Sequence, residues 1–371
     1  MDKAPCIVAM APFEDGWKNV ELIKDCGLIP YLLYKNHGCR VTMVGAKSDE
    51  YDYLDTYVKG IRMEFLPSGV EKEKLRYIHE NARQIDCLVL RGCYPTNFNV
   101  ANLYKCLNPK GKIYVGLDAN SHWMDRIDWC MPEFMRFMED CDIIATSCKA
   151  MQRHLNEKWP WEINYIPNGY YDFTNQDFSV ETVEKKNVIL TVGRLGTKQK
   201  ATDILMEAFS LISEQIPDWT LRLVGSIEPE FEDYLDDFFA NFPKMKEKIQ
   251  LTGSINNREE VIREYREAKI FALASTVEGG TPNVISEALN NGCAIAITKI
   301  DAYEEAIDRG KCGRACEIGS VKDLSRILLT LCTNESISDL CNHAYEYGHA
   351  CFDMEKIVRK LNAMIFKGKN R

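Results

Sequence analysis

The chain has 371 residues, 27% charged and 46% hydrophobic, with a formal net charge of −9 spread along its length. That length suits two hydrophobic cores better than one, and the lack of any basic block or stripe speaks against nucleic-acid binding. No apolar run approaches the roughly 20 residues of a membrane span, and the cysteines, fifteen in all and without a Cys-x-x-Cys pair, point to a reducing cytoplasm rather than a disulfide scaffold or zinc site.

Cys6 to Met10 reads as a first strand rather than part of a signal peptide. It ends at a loop, Ala11 to Gly16, where a ligand sits in an open α/β sheet. A helical stretch and an apolar run from Gly27 to Lys35 follow, then a strand from Arg40 to Val44. Residues 50–60 connect to a strand at Ile61 to Leu66 and a helix at Glu71 to Arg83. Buried strands follow at Asp86 to Leu90 and Lys112 to Leu117, the second ending in Asp118-Ala119-Asn120. A polar group beyond the carboxyl end of such a strand is well placed for chemistry, although an aspartate there also makes turns and caps helices. A helix at Glu133 to Asp140, a strand at Ile143 to Ser147 and a helix at Lys149 to Lys158 complete the first half. Alternating strands and helices predict a parallel sheet covered on both faces. No Gly-x-Gly-x-x-Gly occurs, so a nicotinamide-type dinucleotide site is not expected.

The polar, aperiodic stretch from Asp172 to Lys186 marks the domain boundary, and the pattern then restarts. Asn187 to Val192 is a strand, followed by Gly193-Arg194-Leu195-Gly196-Thr197-Lys198-Gln199-Lys200. A helix at Asp203 to Gln215 carries Ile204, Leu205, Ala208, Phe209 and Ile212 on one side. Strands are expected at Trp219 to Val224 and Ile249 to Thr252, with helices at Phe231 to Phe242, Lys244 to Lys248 and Arg258 to Glu267. Ile270 to Leu273 is a strand running into Gly279-Gly280. A helix opens near Pro282, carries Glu287 and closes at Gly292, because proline suits a helix start and glycine the position past its end. Ala294 to Ile297 is a further strand, Gly310 to Gly313 a turn, and helices occupy the chain from Ser320 to a basic tail after Phe366.

Free N–H groups in the first helical turn, at Gly280, Thr281, Asn283 and Val284 around Pro282, make an anion site. Arg194 and Lys200 flank a glycine-bearing loop directly after a strand. Alone they read equally well as a solvated basic loop; beside the helix start, a planar fork and a point charge together can neutralise a diphosphate.

In these two stretches the sequence resembles the retaining glycosyltransferases of family 4, which have the two-domain GT-B fold. Gly193 through Lys200 is similar to that family's Gly-Arg-Leu loop with its phosphate-binding lysine. Ser275 to Leu289 is similar to its signature loop and helix, and Ile166-Pro167-Asn168-Gly169 to its hinge-side turn. The helix after Phe352-Asp353 resembles the segment that crosses back to the first domain. The resemblance implies two Rossmann-like doubly wound α/β domains facing a cleft: residues 1–175 on the acceptor side, 186–350 binding the nucleotide sugar, and 352–371 as the returning helix. It implies that Arg194 and Lys200 hold the donor diphosphate, that Glu287 holds the ribose hydroxyls, that backbone near Ile255 reads the base, and that Gly16 approaches the phosphates. No metal or other cofactor is implied.

Two departures stand out. The family's two glutamates lie eight positions apart, whereas Glu278 and Glu287 lie nine apart; one extra residue in a loop softened by Gly279-Gly280 would keep Glu278 at the donor sugar. Where the family often has a histidine after the fifth strand, this chain has Asp118, with His122 four residues on. Glu278 and Asp118 are therefore the candidate catalytic pair. The implied activity is metal-independent transfer, with retained configuration, from a UDP-sugar to a glycan, glycolipid or protein-linked acceptor in cell-surface polysaccharide synthesis, in the cytoplasm or at the inner face of the membrane. Peripheral membrane contact and a homo-oligomer are compatible with it. The competing readings are a non-catalytic partner that stabilises another glycosyltransferase and a UDP-sugar epimerase on the same architecture.

Overall fold

The computed structural model describes residues 4–174 and 178–366. The basic tail after Phe366 and residues 175–177 of the expected boundary lie outside them. The chain divides into two compact units, one running to Tyr171 and resuming at Met354, the other spanning Asp172–Asp353.

In the first unit, β1 (Cys6–Met10), β2 (Arg40–Ala46), β3 (Arg62–Leu66), β4 (Cys87–Arg91), β5 (Lys112–Leu117), β6 (Ile143–Thr146) and β7 (Ile163–Tyr165) form one sheet. Its order is β3-β2-β1-β4-β5-β6-β7, and neighbouring strands are parallel. Ile7 to Met10 and Cys87 to Leu90 are buried at successive positions, as strands covered on both faces must be. The chain steps outward from β1 to β3 and then returns to β4, so the order reverses between β1 and β4.

The run from Gly27 to Lys35 is part of a helix, Asp25–His37, with Leu28, Ile29, Tyr31, Leu32 and Leu33 all buried. A helix apolar nearly all round carries little 3.6-residue signal. Part of its cover is the helix Met354–Phe366, which packs against it. The returning segment is pinned where it begins: Met354 N donates to Tyr170 O at 2.9 Å, and Asn36 Nδ2 to Glu355 Oε1 at 3.1 Å.

Among the elements that escape the sequence reading are one long helix and two strands. The helix Pro95–Leu107 carries three asparagines, poor helix formers. One of them is fixed by the fold, since buried Asn97 donates from Nδ2 to Arg91 O (2.7 Å) and Gly92 O (3.0 Å). The other two are the short edge strands β7 and Gly313–Cys316. The latter begins at the expected turn glycine, Gly313, and pairs with Ile295 to Thr298.

In the second unit, β8 (Lys186–Val192), β9 (Thr220–Val224), β10 (Ile249–Gly253), β11 (Ala268–Leu273), β12 (Ala294–Thr298) and β13 (Gly313–Cys316) form a parallel sheet ordered β10-β9-β8-β11-β12-β13. Alternate residues feed two separate cores. Ile189, Leu221, Leu223 and Ile270 pack with Leu205, Phe209, Phe238 and Leu328 on one face. Leu190, Phe271, Ile295 and Ile297 pack with Tyr265, Ile285, Leu289 and Ala344 on the other. This period-two split is the two-faced burial of a doubly wound sheet. The expected fold, two Rossmann-like α/β units, is thus the observed one.

The second unit's first residues are tied into it. Asp172 Oδ2 accepts from Arg266 Nη2 at 2.7 Å, and the same guanidinium lies 4.5 Å from the Phe178 ring centroid. Lys185 Nζ lies 2.8–3.2 Å from the carbonyl oxygens of Tyr265, Arg266, Ala268 and Asn291, which share its three N–H donors. Among the described residues, no helix is long and apolar enough to cross a membrane.

Candidate functional site

In the second unit the strand order reverses between β8 and β11. The loops at the carboxyl ends of those two strands, residues 193–201 and 274–282, therefore flank the switch point, where open α/β sheets take their ligands. Backbone and side-chain bonds join them. Thr276 N donates to Gln199 O at 2.8 Å, Thr276 Oγ1 to Lys198 O at 3.2 Å, and Gln199 Nε2 to Val277 O at 3.1 Å.

That join brings Lys200 and Glu278 together. Lys200 Nζ stands 2.5 Å from Glu278 Oε1, which also accepts from Ser275 Oγ at 2.6 Å, while Gln199 Nε2 reaches Oε2 at 3.2 Å. The two charged side chains are only 21% and 10% exposed. Ser275 is itself fully buried, and its carbonyl accepts from Thr298 Oγ1 at 2.5 Å, so the Glu278 clamp is anchored in β12. Arg194 is exposed, and it lines with Lys200, Gly193, Thr191, Thr202 and Leu273 a narrow cleft at the end of β8.

The loop after Glu278 turns at Gly280, whose φ of 108° favours glycine. Thr281 is buried and donates from Oγ1 to Glu305 Oε1. Pro282 occupies the cap position of the helix Asn283–Asn290, one residue before the expected first turn, and Gly292 lies just past the end with φ 69°. Asn283 and Val284 form the half-buried first turn.

Glu287 lies one turn into this helix, and both its oxygens are engaged. Arg258 Nη2 donates to Oε1 at 2.6 Å and Tyr265 Oη to Oε2 at 2.8 Å. Arg258 and Glu287 side chains are 10% and 13% exposed. Burial first, and then the Glu287 charge, hold the Tyr265 hydroxyl well above the ordinary tyrosine range, so it remains a donor. Arg258 and Tyr265 were not among the expected site residues. They sit seven apart on the helix Arg258–Glu267, two turns on one face, and that spacing was the available signal. Asn257 caps this helix through Oδ1 to Glu259 N at 2.8 Å, and half-buried Ile255 packs on the neighbouring core.

The remaining candidates belong to the first unit. Gly16 has φ 80°, and a Cβ there would stand 2.0 Å from Ala46 O, so the turn against the end of β2 accounts for the glycine. Asp118 is exposed beyond β5, and His122 is exposed on the short helix Ser121–Met124, which Asn120 caps. Asp142, in the stretch Asp140-Cys141-Asp142, is occupied structurally, accepting from Lys105 Nζ (2.7 Å), Lys112 Nζ (2.8 Å) and Ile113 N (3.0 Å).

Comparison with known proteins bears on this geometry. The family model for glycosyl transferases group 1 matches residues 172–350. A curated protein of Haemophilus influenzae, described as an uncharacterized glycosyltransferase, is 24% identical over 234 residues, a match that spans 61% of this chain and 61% of that one. Among solved structures, a glycosyltransferase from Rickettsia africae superposes with a TM-score of 0.76 at 18% identity, covering 100% of both chains. HepE of Anabaena, solved in complex with UDP, gives 0.74 at 13% identity, covering 98% of this chain and 100% of that one. WaaG, a glycosyltransferase involved in lipopolysaccharide biosynthesis, gives 0.68 at 14% identity over 98% and 100%. Residues 172–350 are thus similar to glycosyl transferases group 1, and the fold of two Rossmann-like units is shared with GT-B glycosyltransferases of solved structure.

Proposed function

We propose that this protein is a retaining, metal-independent hexosyltransferase of family 4. It moves a sugar from a nucleotide donor, UDP-linked, to a glycan or lipid-linked acceptor in cell-surface polysaccharide synthesis, in the cytoplasm or at the inner membrane face. The observation that carries the reading is the meeting of Lys200 and Glu278 across the β8 and β11 loops, with Arg194 beside them. Arg194 and Lys200 take the diphosphate, helped by the first turn at Thr281 to Val284, and stabilise charge building on the leaving group. Glu278 is the carboxylate assigned to the transferred sugar, Glu287 takes the ribose, and backbone near Ile255 reads the base. In the first unit, Asp118 serves the acceptor. The UDP named for HepE, and the UDP-glucose named for a second complex of it, support the choice of base.

Calorimetric titration of UDP, GDP and ADP into wild type and Lys200→Ala, in chelator, tests the donor site. One nucleotide is expected to bind, about tenfold or more weakly in the variant, as loss of a charge-assisted hydrogen bond implies. A screen of sugar donors on that base, read by transfer and by the anomeric coupling of the product, then tests retention. Absence of binding by any nucleotide to folded protein refutes the reading.

A further inference from the structure

A carboxylate offers about four lone-pair positions. At Glu287, one on Oε1 is filled by Arg258 and one on Oε2 by Tyr265, which leaves one acceptor position on each oxygen. Two acceptors on one rigid carboxylate match the two hydroxyls of a vicinal diol. Rigidity comes from the partners. Tyr265 is fully buried and packs against Phe271 with ring centroids 5.6 Å apart, and Arg258 is 9% exposed at the start of a capped helix.

We propose that Arg258 and Tyr265 are positioning residues that fix Glu287 as a two-point acceptor for the ribose 2′- and 3′-hydroxyls, and so make the site selective for ribonucleotides over 2′-deoxyribonucleotides. This rests on the nucleotide-sugar reading above. Without Tyr265 the carboxylate can rotate about its last bond and accept a single hydroxyl. Without the Arg258 fork it loses its in-plane anchor, which lysine replaces only as a point charge.

The test is calorimetry with UDP, GDP and ADP and the 2′-deoxy form of each, on wild type, Tyr265→Phe and Arg258→Lys, with thermal melts to confirm folding. Wild type is expected to prefer the ribose form by about tenfold to a hundredfold, the worth of a hydrogen bond to a charged acceptor. Tyr265→Phe should shrink that preference to within about threefold, and Arg258→Lys should retain part of it. A purely structural role would weaken ribose and deoxyribose forms equally, leaving the ratio intact, and that result overturns the proposal. A wild type that binds nucleotide through Lys200 yet shows no ribose preference also overturns it, while leaving the donor site standing. Failure of every nucleotide to bind wild type overturns both.

Discussion

The Lys200 ammonium is not idle, because the Glu278 carboxylate holds it at 2.5 Å. If Lys200 takes the donor diphosphate as proposed, that diphosphate must share the ammonium with a negative charge, and the two anions then face each other across one nitrogen. With each oxygen about 2.8 Å from the nitrogen, the anions stand roughly 6 Å apart. At an effective dielectric of about 40, between surface and bulk values, one pair of unit charges at that distance repels by about 1.4 kcal/mol, a tenfold factor in affinity. Glu278→Gln keeps the side-chain shape, an acceptor for Ser275 and a group beside Lys200, but removes the charge. We therefore expect UDP to bind Glu278→Gln about tenfold more tightly than wild type at low salt, the gain shrinking as ionic strength rises. On the proposed reading, sugar transfer should fall by about a hundredfold or more, because the carboxylate assigned to face the sugar is gone. Calorimetry at two salt concentrations and a UDP-release assay measure the two halves. Equal or weaker UDP binding by the variant, with the fold intact, would refute the assignment of Lys200 as a shared cation.

Two stability predictions follow from the first unit. Arg91 and Asp25 form a nearly buried ion pair, with side chains 12% and 11% exposed; Arg91→Met alone should destabilise by about 3–5 kcal/mol in urea unfolding, and adding Asp25→Leu should recover most of the loss. Burial pushes the Asp142 carboxyl up, but hydrogen bonds from Lys105, Lys112 and the Ile113 N–H outweigh it, and its pKa lies below the ordinary aspartate value. A lowered folded-state pKa means that this stabilisation is complete above the unfolded value near ~3.9 and fades as pH falls through the folded one. Asp142→Asn should accordingly narrow the stability difference between pH 6 and pH 3 in denaturant titrations.

Much of the architecture was legible because the strands are fully buried. Runs such as Leu88 to Leu90 and Ile295 to Ile297 advertise a sheet covered on both faces, and the glycine, proline and charged residues after β8 and β11 mark its ligand edge. What stayed hidden depended on tertiary context. The helix Pro95–Leu107 looks polar until Asn97 is seen closing the carbonyls of Arg91 and Gly92. β13 is a four-residue edge strand, too short for a period to register. At the site, Arg194, Lys200 and Glu287 could be picked out because each sits in a local motif. Gln199 and Ser275, which hold Glu278, act across a gap of sequence that no local pattern spans. At Gly16 the turn against Ala46 by itself requires glycine, whatever ligand comes near it.

The helix Met354–Phe366 belongs to the first unit, although the whole second unit precedes it on the chain. On a ribosome, the helix Asp25–His37 therefore emerges long before the segment that covers part of its apolar surface. At about 5–20 residues per second, the intervening Asp172–Asp353 takes roughly 10–40 s to make. For that interval the earlier half of the molecule is an incomplete fold with an open apolar flank, whereas the later half has every strand it needs as soon as Asp353 is made. Assembly thus runs against the direction of synthesis, and a chain stopped after Asp353 should yield a sound second unit attached to an aggregation-prone first one.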